Sequence, residues 1–141
     1  MVQSILVVCL GNICRSPTAE AVLRAHLPDV QIDSAGTGNW HIGKPPYPPA
    51  IEAAEARGYD LTTLRARQVT ARDFEAFDLV LAMDAENLSD LRELAPEADN
   101  ITLFREPVGG GAVPDPYFTG DFDGALDLIE EASQAWAQRL S

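Results

Sequence analysis

The stretch Val8-Cys9-Leu10-Gly11-Asn12-Ile13-Cys14-Arg15-Ser16-Pro17 constrains this chain more than any other. It follows an apolar, β-branched run over 4–8 and leads into Ala19, Val22, Leu23 and Leu27 at helical spacing. A short apolar run without polar alternation predicts a parallel strand covered on both faces. Ser16 and Pro17 read as the N-cap and first position of a helix. The order is strand, tight loop, helix. A loop that feeds a helix N-terminus turns its backbone N–H groups inward and makes a nest for an anion. Gly11 and Asn12 are residue types that tolerate left-handed backbone in such a curl.

The remaining pattern repeats the alternation. Strands are predicted over 30–35, 79–82 and 101–104, and helices over 50–57, 70–77, 85–94 and from Phe122 to the end. The four prolines between Asn39 and Pro49 predict a loop, Gly58 a helix stop, and 105–120 a Gly- and Pro-rich loop. Strands alternating with helices predict a single α/β domain over 1–141. Its architecture is a doubly wound, four-stranded parallel sheet with helices on both faces. The anion-binding loop follows the first strand, at the carboxyl edge where ligands of such sheets sit.

Within that loop, Cys9 and Arg15 supply a nucleophile and a charge clamp to one anion. A helix N-terminus favours a thiolate, and the planar guanidinium grips two oxygens of a phosphoryl group. Leu10, Gly11, Asn12, Ile13, Cys14, Arg15 and Ser16 are the predicted phosphate-binding residues. Asp115, between Pro114 and Pro116, is either a turn residue or a carboxyl on a mobile loop that protonates a leaving oxygen. Trp40 and Tyr117 read equally as loop aromatics or pocket walls.

Residues 8–17 resemble the signature of low molecular weight protein tyrosine phosphatases of bacterial type. The likeness continues through Asp33-Ser34-Ala35-Gly36-Thr37, Trp40-His41-Ile42-Gly43, Ala66-Arg67-Gln68, Met83-Asp84 with Asn87-Leu88, and Asp115-Pro116-Tyr117. The resemblance implies a phosphocysteine on Cys9, phosphate bound by Arg15, and Asp115 as general acid and then base. It implies that Asn12 holds the loop and that Ser16 donates to the Cys9 sulfur. Ile13, Trp40 and Tyr117 become a pocket for a phosphotyrosine ring. Cys14 becomes a redox partner of Cys9, against the alternative of a small buried hydrophobe. The implied partner is a phosphotyrosine-containing protein, such as a bacterial tyrosine kinase or a polysaccharide-export protein, met by a monomer. Phe118 stands where many eukaryotic members carry a second tyrosine.

Other readings are weaker. A net charge of −12 disfavours nucleic acid. No apolar run reaches the roughly 18 residues of a membrane helix, and the first residues lack a basic flank, so a cytoplasmic protein is expected. Two cysteines and two distant histidines, His26 and His41, show no zinc spacing, and neither metal nor cofactor is expected. Gly38 to Lys44 imitates a nucleotide-binding loop, but Pro45 replaces the required hydroxyl. An arsenate reductase of this architecture needs further cysteines after Cys14. A phosphocysteine carrier lacks the arginine and the acid, and a non-catalytic phosphate-binding module need not keep Cys9, Arg15 and Asp115. A protein arginine phosphatase carries Thr where this chain has Ile13.

Overall fold

Every residue of β1 (Ser4–Cys9) is buried in the computed structural model, which describes residues 1–141. Its position in the sheet explains this. β2 (Gln31–Gly36) pairs with one edge of β1 and β3 (Leu79–Ala82) with the other; β4 (Ile101–Leu103) pairs with β3. All pairings are parallel. Alternate side chains of β1 point to opposite faces. Ile5, Val7 and Cys9 pack with α1 (Arg15–His26) and α6 (Phe122–Leu140), burying Leu23, Leu126, Ile129 and Trp136. Leu6 and Val8 pack on the other face, with Phe74 of α3 (Asp73–Ala76) and Leu91 of α4 (Ala85–Leu94). This is the doubly wound parallel sheet that the alternation predicts. No helix is long and apolar enough to cross a membrane.

The chain runs from β1 outward to β2 and later returns to the far side through β3. The crevice where the winding reverses therefore opens between the carboxyl ends of β1 and β3. Cys9 ends β1, and Asp84 caps α4 just after β3.

Three expectations are corrected. The first helix starts at Arg15 with Cys14 as its N-cap, so Ser16 is not the cap. The Ser16 hydroxyl is occupied elsewhere, by Cys9 and Asn12. Pro17 still falls in the first turn, where its missing N–H costs nothing. α2 (Pro48–Glu55) starts at Pro48 because both prolines fit the first turn of a helix, and Gly58, with φ +88°, follows it. The predicted loop 105–120 contains a 3-10 turn (Glu106–Val108) and a short α5 (Pro116–Thr119), for which Asp115 is the N-cap.

Candidate active site

Cys9 is 3% exposed at the end of β1, and the chain after it curls back over its sulfur. The Asn12 N–H points to Cys9 Sγ at 3.2 Å, and Ser16 Oγ lies 3.0 Å from it. The curl needs left-handed backbone at Asn12, with φ +56°. That conformation costs a non-glycine residue roughly 1–2 kcal/mol. The Asn12 side chain meets the cost with three hydrogen bonds. Its Nδ2 donates to Ser16 Oγ at 2.8 Å and Ser34 Oγ at 3.0 Å, and its Oδ1 accepts from Arg67 N at 3.0 Å. At about 0.5–1.5 kcal/mol net for each bond, the loop is held more strongly than it is strained.

The bracing continues inward. Ser34 Oγ donates to the buried Glu20 Oε1 at 2.6 Å, and Arg24 pairs with Glu20 Oε2 at 2.6 Å. Burial pushes the Glu20 carboxyl up, while Ser34 and Arg24 oppose that rise. At the end of β2, a Cβ on Gly36 would stand 2.8 Å from the Leu10 carbonyl oxygen and 3.2 Å from Asn12 N. Glycine there lets β2 press directly against the loop.

Arg15 is 3% exposed and tied on two sides. Its Nη1 donates to Asp84 Oδ2 at 2.7 Å and to the Val113 carbonyl at 3.0 Å; its Nη2 reaches Asp115 Oδ2 at 3.4 Å. Its buried Nε has no partner and remains a donor for an oxyanion. Burial pulls the guanidinium pKa down, but Cys9, the Asp84 hydrogen bond and Asp115 outweigh it and hold the group above its ordinary value. The other oxygen of Asp84 accepts from Asn87 N at 2.7 Å, so Asp84 is a fixed strut for Arg15. Asp115 Oδ1 accepts from Tyr117 N at 3.1 Å, the cap of α5.

Above the sulfur the pocket is lined by Cys9, Leu10, Gly11, Ile13, Cys14, Arg15, Trp40, Asp115 and Tyr117, all named from the sequence. Asn12 and Ser16 do not line it; buried behind the loop, they brace it. His41, which beside Trp40 could equally touch substrate or lie in solvent, also lines it, as does Phe118, for which the sequence suggested no pocket role. Tyr117 meets Phe118 edge-on at 5.2 Å, so that two aromatic rings form one wall, and Tyr47 backs Tyr117 in a tilted contact at 5.1 Å. The sequence offered Asp84 within a motif and as the acid next in line after Asp115, not as a strut for Arg15; an acid directly after a predicted strand, at the carboxyl edge, was the available signal for that role. Cys14 is a free, buried thiol whose pKa is pushed up to about 12 by burial, with Asp115 and Cys9 adding to the rise.

A family model described as low molecular weight phosphotyrosine protein phosphatase matches residues 4–141. The low molecular weight protein-tyrosine-phosphatase YfkJ of Bacillus subtilis is 41% identical, over 90% of this chain and 88% of its own length. Wzb of Vibrio vulnificus, solved in complex with benzylphosphonate, superposes with a TM-score of 0.94 at 39% identity, covering 99% of both chains. The tyrosine phosphatase Wzb of Escherichia coli K30, solved with sulphate, superposes at 0.93 with 38% identity, over the whole of both chains.

Proposed function

This chain belongs to the low molecular weight phosphotyrosine protein phosphatase family, and from that premise we propose that it dephosphorylates phosphotyrosine in proteins through a phosphocysteine on Cys9. The observation that carries the reading is one loop holding both reacting groups. A sulfur with donors at 3.0 and 3.2 Å and a buried guanidinium with an unpartnered N–H serve the same pocket, with the Asp115 carboxyl 3.4 Å from that guanidinium.

The first step takes the phosphate dianion onto the loop N–H groups and Arg15, which stabilise charge spreading over its oxygens. The Cys9 sulfur attacks phosphorus in line and the bond to the tyrosyl oxygen breaks. Asp115 gives its proton to that oxygen. In the second step Asp115 takes a proton from water, the water oxygen attacks phosphorus, and the phosphorus–sulfur bond breaks. The Ser16 hydroxyl donates to the departing thiolate, and inorganic phosphate leaves.

The aromatic wall and Ile13 favour a flat, apolar leaving group long enough to carry phosphate down to the sulfur. The similar Vibrio vulnificus protein, solved with a benzyl phosphonate, supports an aryl pocket. The test is one panel of phosphotyrosine, phosphoserine and phosphoarginine peptides plus arsenate, run with chelator present. Phosphotyrosine turnover should dominate. Equal rates on phosphoserine would contradict the depth of the pocket, and preferred phosphoarginine turnover would replace this reading with the arginine phosphatase. Ile13→Thr should raise phosphoarginine turnover relative to phosphotyrosine; an unchanged ratio removes Ile13 as a determinant.

Cys14 is assigned a redox role beside the hydrolytic one. Peroxide converts the Cys9 thiolate to sulfenic acid and releases hydroxide; Cys14, as its thiolate, then attacks that sulfur, expels hydroxide and closes a disulfide, the hydroxide leaving as water with the proton that Cys14 gave up. Burial, the main cause that raises the Cys14 pKa, persists once Cys9 is oxidised, so the thiol stays largely protonated at neutral pH. Its reactive fraction, and with it the closure rate, should rise about tenfold for each pH unit through the neutral range. Mass spectrometry after limited peroxide should show wild type two hydrogens lighter and recoverable with dithiothreitol, while Cys14→Ser gains oxygen and stays inactive. Equal recovery of both would make Cys14 structural.

A further inference from the structure

Gly38 follows β2, and its N–H donates to the Leu10 carbonyl at 2.9 Å. Its φ is not left-handed, unlike those of Gly43, Gly58 and Gly109. Conformational freedom therefore does not account for glycine at this position. Space does. A Cβ on Gly38 would fall within the Trp40 indole, overlapping Cζ3 and Cε3 and standing 2.9 Å from Cη2. The six-membered ring of Trp40 thus lies directly on the Gly38 backbone. The side chain is otherwise 65% exposed, so this seat is a large part of what fixes its orientation.

The orientation matters because of what lies on either side. Trp40 and Leu10 line both the pocket over Cys9 and a neighbouring groove formed with Thr37, Gln68, Glu86 and Asp90. We propose that Gly38 is a positioning residue that seats the Trp40 indole as a partition between pocket and groove. By closing the pocket on that side, the seated ring sets its preference for an aryl phosphate. The proposal rests on the phosphotyrosine reading of the pocket.

Gly36 and Gly38 differ in what a methyl group would meet. At Gly36 the obstacles are the Leu10 carbonyl and the Asn12 amide, backbone atoms of the loop that cannot yield. At Gly38 the obstacle is an exposed ring that can swing away, so Gly38→Ala should fold normally.

The experiment compares wild type, Gly38→Ala, Trp40→Ala and the double variant on a phosphotyrosine peptide. Acrylamide quenching of tryptophan emission is followed without substrate, with Trp40→Phe separating the signal from buried Trp136. Gly38→Ala should raise KM about 3- to 10-fold, the size of one lost aromatic contact, with kcat little changed. It should add nothing in the Trp40→Ala background, and quenching of Trp40 should increase. A further KM rise in that background would overturn the proposal, since Gly38 would then act through the backbone. Quenching that changes without a KM effect would also overturn it, because the seat would not govern binding of the aryl phosphate. A wild type that does not turn over phosphotyrosine would defeat the functional reading instead; the quenching still decides whether the seat exists.

Discussion

Cys9→Ser is expected to lower phosphotyrosine turnover by at least about 10⁴-fold, the scale seen when the nucleophile of a concerted catalytic unit is removed. A serine hydroxyl in this loop would have the same neighbours, the Asn12 N–H and the Ser16 hydroxyl. Those donors stabilise a thiolate but do not ionise an alcohol, whose proton no adjacent base takes up. The fold should survive, because oxygen replaces sulfur without opening a cavity of consequence. The variant should therefore still bind phosphotyrosine peptide, which isothermal titration would show. Arg15→Ala should abolish turnover as well, but less cleanly. It leaves Asp84 Oδ2 and the Val113 carbonyl without a donor, so part of its effect is expected in thermal stability. Undiminished single-turnover hydrolysis by Cys9→Ser would overturn the phosphocysteine mechanism outright.

The parts of this site that were legible beforehand are those encoded locally. β1 was readable because a strand covered on both faces needs an unbroken apolar run, and α6 because its apolar residues recur with the period of a helix. Cys9 and Arg15 were readable because one loop carries both. The misplaced cap shows where local rules stop. Ser16 has the residue type and position of an N-cap, yet the loop fold claims its hydroxyl for Cys9 and Asn12, and the helix starts earlier without a side-chain cap. Leaving the first turn uncapped by a side chain also leaves its N–H groups for an anion.

What stayed hidden was non-local. The strut from Asp84 to Arg15 spans 69 positions, and the tie from Val113 to Arg15 spans 98. Neither partner has a spacing rule that announces it. The brace of Ser34 and Glu20 behind Asn12 is of the same kind. Gly36 and Gly38 read as punctuation at the end of a strand, because the sequence does not say what a Cβ would strike. Only the packed structure distinguishes a glycine that admits backbone from one that admits a ring.

Asp115→Asn tests the remaining chemical role, and its value lies in how little else it changes. Asparagine caps a helix as well as aspartate does, so the bond from Tyr117 N should persist and α5 should keep its place. The oxygen that faces Arg15 Nη2 at 3.4 Å becomes the amide nitrogen, so that long contact is given up along with the transferable proton, while the cap is kept. For a tyrosyl leaving group, kcat/KM should fall by roughly 10²–10⁴-fold, the usual worth of general acid catalysis. kcat/KM is the quantity to follow, because it reports steps up to the first irreversible one, while kcat also contains phosphocysteine hydrolysis. The loss should shrink as the leaving phenol becomes more acidic, since a stable phenolate needs no proton. Across a series of substituted phenyl phosphates, wild type should therefore show a shallow dependence on leaving-group pKa and Asp115→Asn a steep one. Parallel lines for the two proteins would remove Asp115 from the proton transfer. Asp84 would be a poor substitute, since one of its oxygens is committed to Arg15 and the other to the Asn87 N–H.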